Sequence, residues 1–363
     1  MVSLPPMVAP RARRSWRGSR SAIVVGFIAF AAAQVGLGWA IDTERNPLRD
    51  PIYFDKLVQL RRHPAFFASN HGPDQPTTVL FVGSSRTLNA VDARTAGSLL
   101  TQTLDRPVEV FNFGQAGAGP ITNAVYLRRL LKAGVKPDFA VIEIHPTFLA
   151  GQRSDPPETR WLLPVRLRPE ELPIVRAMGF PAADPSVHGP RGYFASWYES
   201  RYLIVDRYAP FFLMNNQRLN GGHESDEFGF TRLMNWIDPE SKAHCLNLAH
   251  DQYAYYLQGY RPTGCGIGGL RDSLEVCRAA GIRPALVFMP ESSEWRNWYD
   301  PVGFRELGEV IAKLGDEYGA PVFDGRTWIA DDLILDGHHL MGLGADAFTA
   351  RLVRESLVPW LKR

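Results

Sequence analysis

Two short segments, far apart in the chain, contain the residue types of an activated serine and its partners. The first is an apolar run that stops at Gly83-Ser84-Ser85, and the second is the loop Asp336-Gly337-His338-His339. A serine hydroxyl is a weak nucleophile until a base takes its proton, and that base works best when a third group fixes its tautomer. The pattern predicts Ser85 as nucleophile, His339 as base and Asp336 as the group that orients the imidazole. Taken alone, Gly-Ser-Ser is more often a turn or a helix N-cap.

A glycine-rich segment, Asn112 to Pro120, supports the catalytic interpretation. It follows the apolar run Val108–Phe113 and precedes a run of helical periodicity that starts near Ile121. Glycines let a backbone turn tightly and direct N–H groups into a crevice, as an oxyanion hole requires. The alternative is an ordinary loop between a strand and a helix.

These segments, in this order, resemble blocks I, II and V of the SGNH or GDSL-like hydrolase superfamily. The matching residues are Gly83-Ser84-Ser85 (with Ser84 for the usual Asp), Asn112-x-Gly114-x-x-Gly117, and Asp336-x-x-His339 followed by Gly344. The resemblance implies a flavodoxin-like three-layer α/β/α sandwich with a mainly parallel sheet. It also implies the backbone N–H groups of Ser85 and Gly117 as oxyanion donors.

Block III departs from the family pattern. The family has Gly-x-Asn-Asp after the third strand, whereas this chain has Ile144-His145-Pro146-Thr147-Phe148. A gapless placement puts Thr147 where the family has its asparagine oxyanion donor. Thr147 either replaces that donor, or the donor is missing or supplied from elsewhere. The departure motivates a second hypothesis, a non-catalytic SGNH-fold scaffold that binds glycan or a membrane partner.

The N-terminal region has the pattern of a membrane anchor. Five arginines and no acidic residue lie in the first twenty positions (Arg11, Arg13, Arg14, Arg17 and Arg20), and the uncharged run Ala22–Ile41 follows. At about 1.5 Å per residue this run can cross a bilayer core of about 30 Å. Arginines that flank a membrane span tend to stay on the cytoplasmic side. The pattern therefore predicts a cytoplasmic basic tail at 1–21, a single-pass transmembrane signal anchor at 22–41, and an extracytoplasmic, periplasmic domain. The alternatives are a signal peptide cleaved after Ala33 and a buried core helix.

The remaining chain has the composition of one α/β domain with a central insertion. It has 363 residues in all, 45% hydrophobic and 21% charged, and its net charge of +2 gives no sign of nucleic-acid binding. After a connector at 42–76, the domain is predicted at 77–363 with the insertion at about 151–263. The predicted strands are Thr78–Val82, Val108–Phe113, Phe139–Ile144, Pro284–Met289 and Pro321–Phe323.

The insertion is rich in aromatic residues, which suit either sugar stacking or the insertion's own core. They include Trp161, Tyr193, Trp197, Tyr198, Tyr202, Tyr208 and Trp236. Of the three cysteines, Cys245 and Cys265 are the pair predicted to bridge, and no cysteine or histidine spacing favours zinc. No metal or cofactor is predicted, and the absence of a glycine-rich phosphate loop argues against a nucleotide-binding flavodoxin-like protein.

Three further residues are predicted to contact substrate: Arg86, Asn112 and His338. Arg86 follows the nucleophile directly and suits either an anionic substrate group or a salt bridge to Glu143. His338 either points away from its catalytic neighbour or contacts substrate. Glu291-Ser292-Ser293-Glu294 lies on the same side of the sheet, either contacting substrate or capping a helix.

Gly-Ser-Ser combined with a membrane anchor is similar to the extracytoplasmic SGNH-like proteins that work beside membrane-bound O-acyltransferases. Examples are the D-alanyl-transfer protein DltD and the alginate acetylation proteins. The resemblance implies O-acyl (acetyl) transfer through a Ser85 acyl-enzyme, from an acyl donor to a glycan acceptor in an envelope or exported polysaccharide. It also implies a membrane-bound O-acyltransferase partner. Hydrolysis of the same esters needs the same three residues, so the sequence leaves transfer and hydrolysis open.

Overall fold

A computed structural model describes residues 16–42, 50–68, 75–153, 155–163, 166–181, 201–214 and 225–362. Most of the predicted cytoplasmic tail and part of the connector lie outside the described residues. The same is true of Tyr193, Trp197 and Tyr198, three of the aromatic residues considered for sugar stacking.

Five parallel strands form one sheet in the order β2-β1-β3-β4-β5. Their bounds are β1 Thr77–Val82, β2 Val108–Asn112, β3 Phe139–Ile144, β4 Arg283–Phe288 and β5 Val322–Asp324. In the middle of the sheet, Val79 pairs with Val110 on one side and with Phe139 on the other. Because all neighbours are parallel, the segments that follow the five strands share one edge of the sheet. The predicted strands are confirmed to within one or two residues.

Helices cover both faces of this sheet. Their bounds are α1 Trp16–Asp42, α2 Pro51–Leu60, α3 Ser85–Ala90, α4 Ala93–Leu104, α5 Pro120–Lys132, α6 Leu172–Ala177, α7 Arg201–Tyr208, α8 Pro239–Leu257, α9 Cys265–Ala280, α10 Ser293–Arg296, α11 Pro301–Tyr318, α12 Gly342–Leu352 and α13 Val358–Leu361. A π-helical turn at Val353–Leu357 joins the last two.

The alternation of side chains along β1 explains the layers. Leu80 and Val82 face a core shared with α5, α9 and α11, whereas Val79 and Phe81 face a second core shared with α4, α12 and α13. Successive strand residues point to opposite faces, so an apolar run such as this one must be covered on both sides. The predicted three-layer α/β/α sandwich is confirmed.

The stretch predicted as an insertion leaves the sheet and returns to it at nearly the same place. Ala150 forms an isolated antiparallel bridge with Pro262, and Gly151 N donates to Arg261 O at 2.8 Å. Between these points, the described residues form helices, of which α8 is the longest, and no strand. The stretch therefore adds to one edge of the sandwich without changing the order of its strands.

Helix α1 is the one helix in the described part of the chain that is long and apolar enough to cross a membrane, over Arg20–Trp39. Ile23, Phe27 and Trp39 are each 72% exposed, so this helix does not pack into the domain. That exposure excludes the buried core helix considered from the sequence.

The predicted Cys245–Cys265 bridge is wrong. All three cysteines are free thiols, with Cys245 inside α8, Cys265 at the start of α9 and Cys277 buried. Burial raises the pKa of Cys265 to about 11 and that of Cys277 to about 12, so both are protonated at neutral pH. Loop composition suggested the pairing, but both thiols lie on helices.

Candidate active site

Ser85 lies where β1 ends and α3 begins, in a turn that a buried carboxylate holds. Glu143, near the end of β3, accepts hydrogen bonds from Ser84 N at 2.6 Å, Ser84 Oγ at 2.9 Å and Thr87 Oγ1 at 2.7 Å. A side chain at Gly83 would overlap Thr87 and Glu143, so the turn requires glycine there. Ser84 Oγ caps α3 by accepting from Arg86 N at 3.1 Å. Ser85 is left half-buried at the carboxyl edge of the sheet.

The loop after β5 brings His339 to Ser85. His339 Nε2 lies 2.7 Å from Ser85 Oγ, and His339 Nδ1 lies 2.7 Å from Asp336 Oδ2. Asp336 Oδ1 also accepts from His339 N at 2.9 Å, and Gly337 adopts a φ of +96° between them. The positive φ of Gly337 closes a tight turn, which brings the Asp336 carboxylate next to the His339 imidazole. The three predicted residues thus form one hydrogen-bonded chain.

Charge favours an ionised carboxylate at Asp336. Burial alone would raise the pKa of Asp336, but the nearby His338 and His339, together with hydrogen bonds from His339, lower it below its usual range. An aspartate that stays ionised can fix the imidazole tautomer and stabilise an imidazolium.

His338 does not share this position. It is 3% exposed, its ring lies 4.3 Å from Trp295 and 5.1 Å from Tyr253 between centroids, and burial lowers its pKa well below the ordinary range. The structure therefore fits the alternative in which His338 points away, and not the predicted substrate contact.

The same loop holds the only group of potential metal ligands found among the described residues. Ligand atoms of Asp336, His338 and His339 lie within 4.8 Å of one another. His339 uses both ring nitrogens in hydrogen bonds, one to Asp336 and one to Ser85, which leaves neither for a metal ion.

The glycine-rich loop after β2 is fixed beside Ser85. Gln115 N donates to Gly83 O at 2.9 Å, which ties the loop to the end of β1. Gly117 has a φ of +69°, and a Cβ there would overlap the ring of Trp161. Within the described chain no acceptor engages the Gly117 N–H, and the Ser85 N–H lies in the first turn of α3, where no intrahelical acceptor exists. Both N–H groups are available to an oxyanion.

Asn112 holds this loop from inside. It is fully buried, its amide donates to Thr87 O and Val91 O at 2.8 Å each, and its oxygen accepts from Gly114 N at 2.9 Å. The predicted substrate contact is therefore wrong, because every polar atom of this amide is used to position backbone.

Thr147 lies at the same edge, in the 3₁₀ turn Pro146–Leu149 after β3. It is fully buried, and its hydroxyl finds no hydrogen-bond partner in the part of the chain that the structure describes. Nδ1 of the neighbouring His145 is also buried without a partner. Leaving a buried polar atom unpaired costs free energy, so these two atoms are exceptions to the usual pairing of buried polar groups.

Arg86 is buried and not exposed to substrate, contrary to the predicted anion contact. Its Nη2 lies 3.1 Å from Glu291 Oε1 and 2.9 Å from Met289 O, whereas its Nε lies 3.9 Å from Glu143. The salt-bridge alternative is therefore closer to the structure, with Glu291 and not Glu143 as the nearer partner. Ser292 caps α10, as the capping alternative for this segment predicts.

Glu158 is a residue that the sequence did not single out. It comes from the insertion and caps α5, accepting from Ile121 N at 3.1 Å and from Thr122 N at 2.6 Å. Its neighbour Trp161 covers Gly117, so the insertion supports the glycine-rich loop from outside. Nothing local could reveal this, because Glu158 and the helix that it caps are far apart in sequence.

Comparisons with known proteins give one partial family match and several distant likenesses to solved structures. A family described only as a protein of unknown function (DUF1574) matches residues 56–156. No curated protein matches the chain.

Among solved structures, a variant of Axe2, an acetyl-xylooligosaccharide esterase from Geobacillus stearothermophilus, is 13% identical. That match covers 78% of this chain and 96% of the esterase, with a TM-score of 0.35. LAE5, an alpha/beta hydrolase enzyme from the metagenome of Lake Arreo in Spain, is also 13% identical, and its match covers 79% of this chain and 99% of LAE5 with a TM-score of 0.30. Likenesses of this size do not assign an activity, which has to come from the site.

Proposed function

We propose that this chain is a membrane-anchored, extracytoplasmic acyl-ester enzyme that uses Ser85 as nucleophile. The observation that carries the proposal is the continuous hydrogen-bonded chain Ser85–His339–Asp336, with both side-chain contacts at 2.7 Å. The segments that supply it lie far apart in sequence, yet they meet with one imidazole between a hydroxyl and a carboxylate. That arrangement is what proton removal from a serine requires.

In the first half-reaction, Ser85 Oγ attacks the carbonyl carbon of an acyl ester while its proton passes to His339 Nε2. Asp336 holds His339 Nδ1–H and stabilises the imidazolium that forms. The carbonyl oxygen becomes an oxyanion, for which the N–H groups of Ser85 and Gly117 are the proposed donors. When the tetrahedral intermediate collapses, the C–O bond to the leaving alcohol breaks, and that alcohol takes the proton from His339.

In the second half-reaction, a hydroxyl attacks the acyl-Ser85 ester and gives its proton to His339. Collapse of the new intermediate releases the acyl product and returns the proton to Ser85. A sugar hydroxyl gives O-acyl transfer, and water gives hydrolysis. We propose transfer to an envelope or exported polysaccharide, with a membrane-bound O-acyltransferase as partner, because α1 suits a membrane anchor for such a site.

A serine-directed fluorophosphonate tests the nucleophile directly. The full-length protein in detergent should be labelled at Ser85, and Ser85→Ala should lose that label together with acyl-ester turnover. Ser98→Ala is the matched control, since Ser98 is an exposed serine on α4. Equal labelling of wild type and Ser85→Ala, with equal glycan acylation in cells, would contradict the enzyme proposal and favour the non-catalytic scaffold hypothesis.

A further inference from the structure

An exposed apolar patch lies on the insertion, in the described segment 201–214. This segment consists of α7 and a 3₁₀ turn at Pro210–Phe212, and Ala209 N donates to Val205 O at 2.8 Å where the two meet. Large exposed apolar side chains that cluster in so short a segment mark a surface for interaction. The patch is formed by five side chains that are between 62% and 75% exposed, namely Tyr202, Tyr208, Phe211, Phe212 and Met214.

Phe211 and Phe212 are the most exposed members of the apolar patch. Their rings stack with centroids 4.4 Å apart, and each side chain still faces outward over most of its area. The backbone beneath them is hydrogen-bonded, because Phe212 N donates to Ala209 O and Leu213 N donates to Pro210 O, each at 3.0 Å. A closed turn therefore presents this pair of rings to the surroundings.

The apolar patch is attached to the helix that follows the connector. Arg207 Nη1 lies 2.7 Å from Asp55 Oδ1 and 2.9 Å from Asp55 Oδ2, which ties α7 to α2. Helix α2 is itself fixed to the domain at its start, where the buried Asp50 pairs with Arg129 Nη1 at 2.9 Å. The patch therefore lies on the side of the domain at which the chain arrives from α1.

The connector is short enough to keep this side of the domain near a bilayer that α1 crosses. Seven residues lie between Asp42 and Asp50, so their Cα atoms can be at most about 28 Å apart. Asp55 lies about 7.5 Å further along α2. Phe211 is four residues after Arg207, which adds at most about 14 Å of chain. The surface that carries α2 and α7 is thus within reach of the bilayer.

We propose that the apolar patch docks into the interfacial layer of the bilayer that α1 crosses, with Phe211 and Phe212 inserted between lipid headgroups. The inference rests on the proposed membrane anchor and not on the proposed chemistry of Ser85. Tyrosine and other aromatic side chains favour this layer, since they combine an apolar body with a polar tip or a polarisable ring. The segment carries Arg201, Asp206 and Arg207, so its charge does not oppose an anionic lipid surface.

The anchor makes this second contact with lipid effective, because insertion of the patch becomes an intramolecular step. The contact also orients the domain. Lys56 of α2 donates to Asn112 O at 2.9 Å, at the end of β2, so α2 lies at the edge of the sheet that holds Ser85. Docking through α7 therefore fixes this edge relative to the bilayer.

Photocrosslinking in vesicles tests the docking. The full-length protein, with p-benzoylphenylalanine in place of Phe211, is reconstituted into vesicles of phosphatidylcholine and phosphatidylglycerol and irradiated. We expect mass spectrometry to find a lipid adduct at position 211. The matched control carries the same photoreactive residue in place of Val302, which is 48% exposed on α11, beside β4 and β5. This control should give little or no lipid adduct.

A second pair of proteins tests whether the two phenylalanines drive the docking. Both proteins carry the photoreactive residue in place of Tyr208, and one of them also carries Phe211→Ser and Phe212→Ser. The loss of two apolar side chains should lower the yield of lipid adduct at least about tenfold. Because both rings are exposed, thermal unfolding of the two proteins should be the same, which checks that the folded domain is intact.

Vesicle flotation measures anchoring separately from docking. A chain that floats with the vesicles but forms no lipid adduct at position 211, or forms as much at position 302, overturns the docking and leaves the anchor. A chain that does not float overturns the anchor and the docking with it. An adduct with a second copy of the chain, or in cells with another protein, in place of lipid would assign the patch to a protein partner and overturn the proposal. Fluorophosphonate labelling of Ser85 is unaffected by any of these outcomes, so the proposed chemistry stands or falls independently.

Discussion

The imidazole of His339 accepts or donates a proton in every step of the proposed reaction. Removing this imidazole should therefore lower kcat as much as removing the Ser85 hydroxyl. Ser85→Ala and His339→Ala should each lower kcat by about 10⁴-fold or more, and the double variant should be no worse, because either change alone abolishes activated attack. Asp336→Asn should be less severe, since Asp336 sets a tautomer and touches no substrate. Steady-state kinetics on an aryl acetate measures all four variants. Additive losses would mean that Ser85 and His339 do not act together.

Thr147 lies where the SGNH pattern that the sequence resembles has its asparagine oxyanion donor. Its hydroxyl is buried without a partner, at the same sheet edge as Ser85. Thr147→Val keeps the shape and removes the hydroxyl, so kcat should fall about 10²-fold with KM little changed if this hydroxyl donates to the oxyanion. Thr147→Ser keeps the donor and is the matched control. An unchanged kcat in Thr147→Val would mean that the oxyanion hole consists of the N–H groups of Ser85 and Gly117 without Thr147.

At the scale of elements, the glycine-rich loop depends on a close contact with the insertion. Gly117→Ala places a methyl group at a φ of +69° where the Trp161 ring already lies, so the loop must move. We expect kcat to fall about 10²-fold as the N–H shifts away from the oxyanion. Gly259→Ala is the control, because Gly259 has a φ of +57° with nothing within 4 Å of the new methyl group. It should cost only about 1 kcal/mol of stability, the penalty for a left-handed residue. Equal kcat in the two variants would mean that the loop does not act in catalysis.

Glu158, which joins the insertion to α5, should make stability depend on pH. Burial raises the pKa of Glu158 to about 7, against hydrogen bonds from Thr122 and from the backbone of Ile121 and Gly119 that lower it. The folded protein therefore binds more protons than the unfolded chain between about pH 4.3 and 7. The stabilisation that this group contributes is fully present below that window and is lost as pH rises through it, by about 4 kcal/mol at most.

Glu158→Gln has no proton to lose and should remove this part of the slope. Urea unfolding at pH 5, 6, 7 and 8 measures it. Glu170→Gln, at an exposed glutamate of the insertion, should keep the wild-type slope. A wild-type slope in Glu158→Gln would assign the pH dependence to other groups.

The strands and the Asp336–His339 contact were predictable because each depends on local pattern. The contact between Ser85 and His339, 254 residues apart, was predicted only because the two segments together match the pattern of an activated serine. Apolar runs bounded by Gly and Pro define strands, and the Asp-x-x-His spacing brings a carboxylate to its own imidazole. The roles of Arg86, Asn112 and Glu158 were not predictable, because their partners come from distant segments. Arg86 pairs with Glu291, more than two hundred residues later. The sequence near a site does not distinguish a polar side chain that contacts substrate from one that hydrogen-bonds the backbone.

For the whole molecule, the connector limits how far the domain can lie from the end of α1. Asp50, just before α2, is buried against the domain, where it meets Arg129 at 2.9 Å, Arg166 at 3.1 Å and Tyr126 Oη at 2.8 Å. Burial would raise the pKa of Asp50, but the two arginines lower it, so the contact is ionic. Seven residues lie between Asp42 and Asp50, so the two Cα atoms can be at most about 28 Å apart. If α1 anchors the chain as proposed, this short connector keeps the domain close to the bilayer.

The orientation of the anchor is the remaining prediction at this scale. Arg20 and the arginines before it should stay in the cytoplasm, which places the domain outside the membrane. Protease added to intact spheroplasts should therefore degrade the domain, while a cytoplasmic marker protein survives until lysis. The chain should also stay with the membrane through an alkaline wash, because an uncleaved apolar helix of this length is not released by loss of charge contacts. Protection of the domain until lysis would reverse the orientation, and a shortened chain in the soluble fraction would mean that a signal peptide is cleaved.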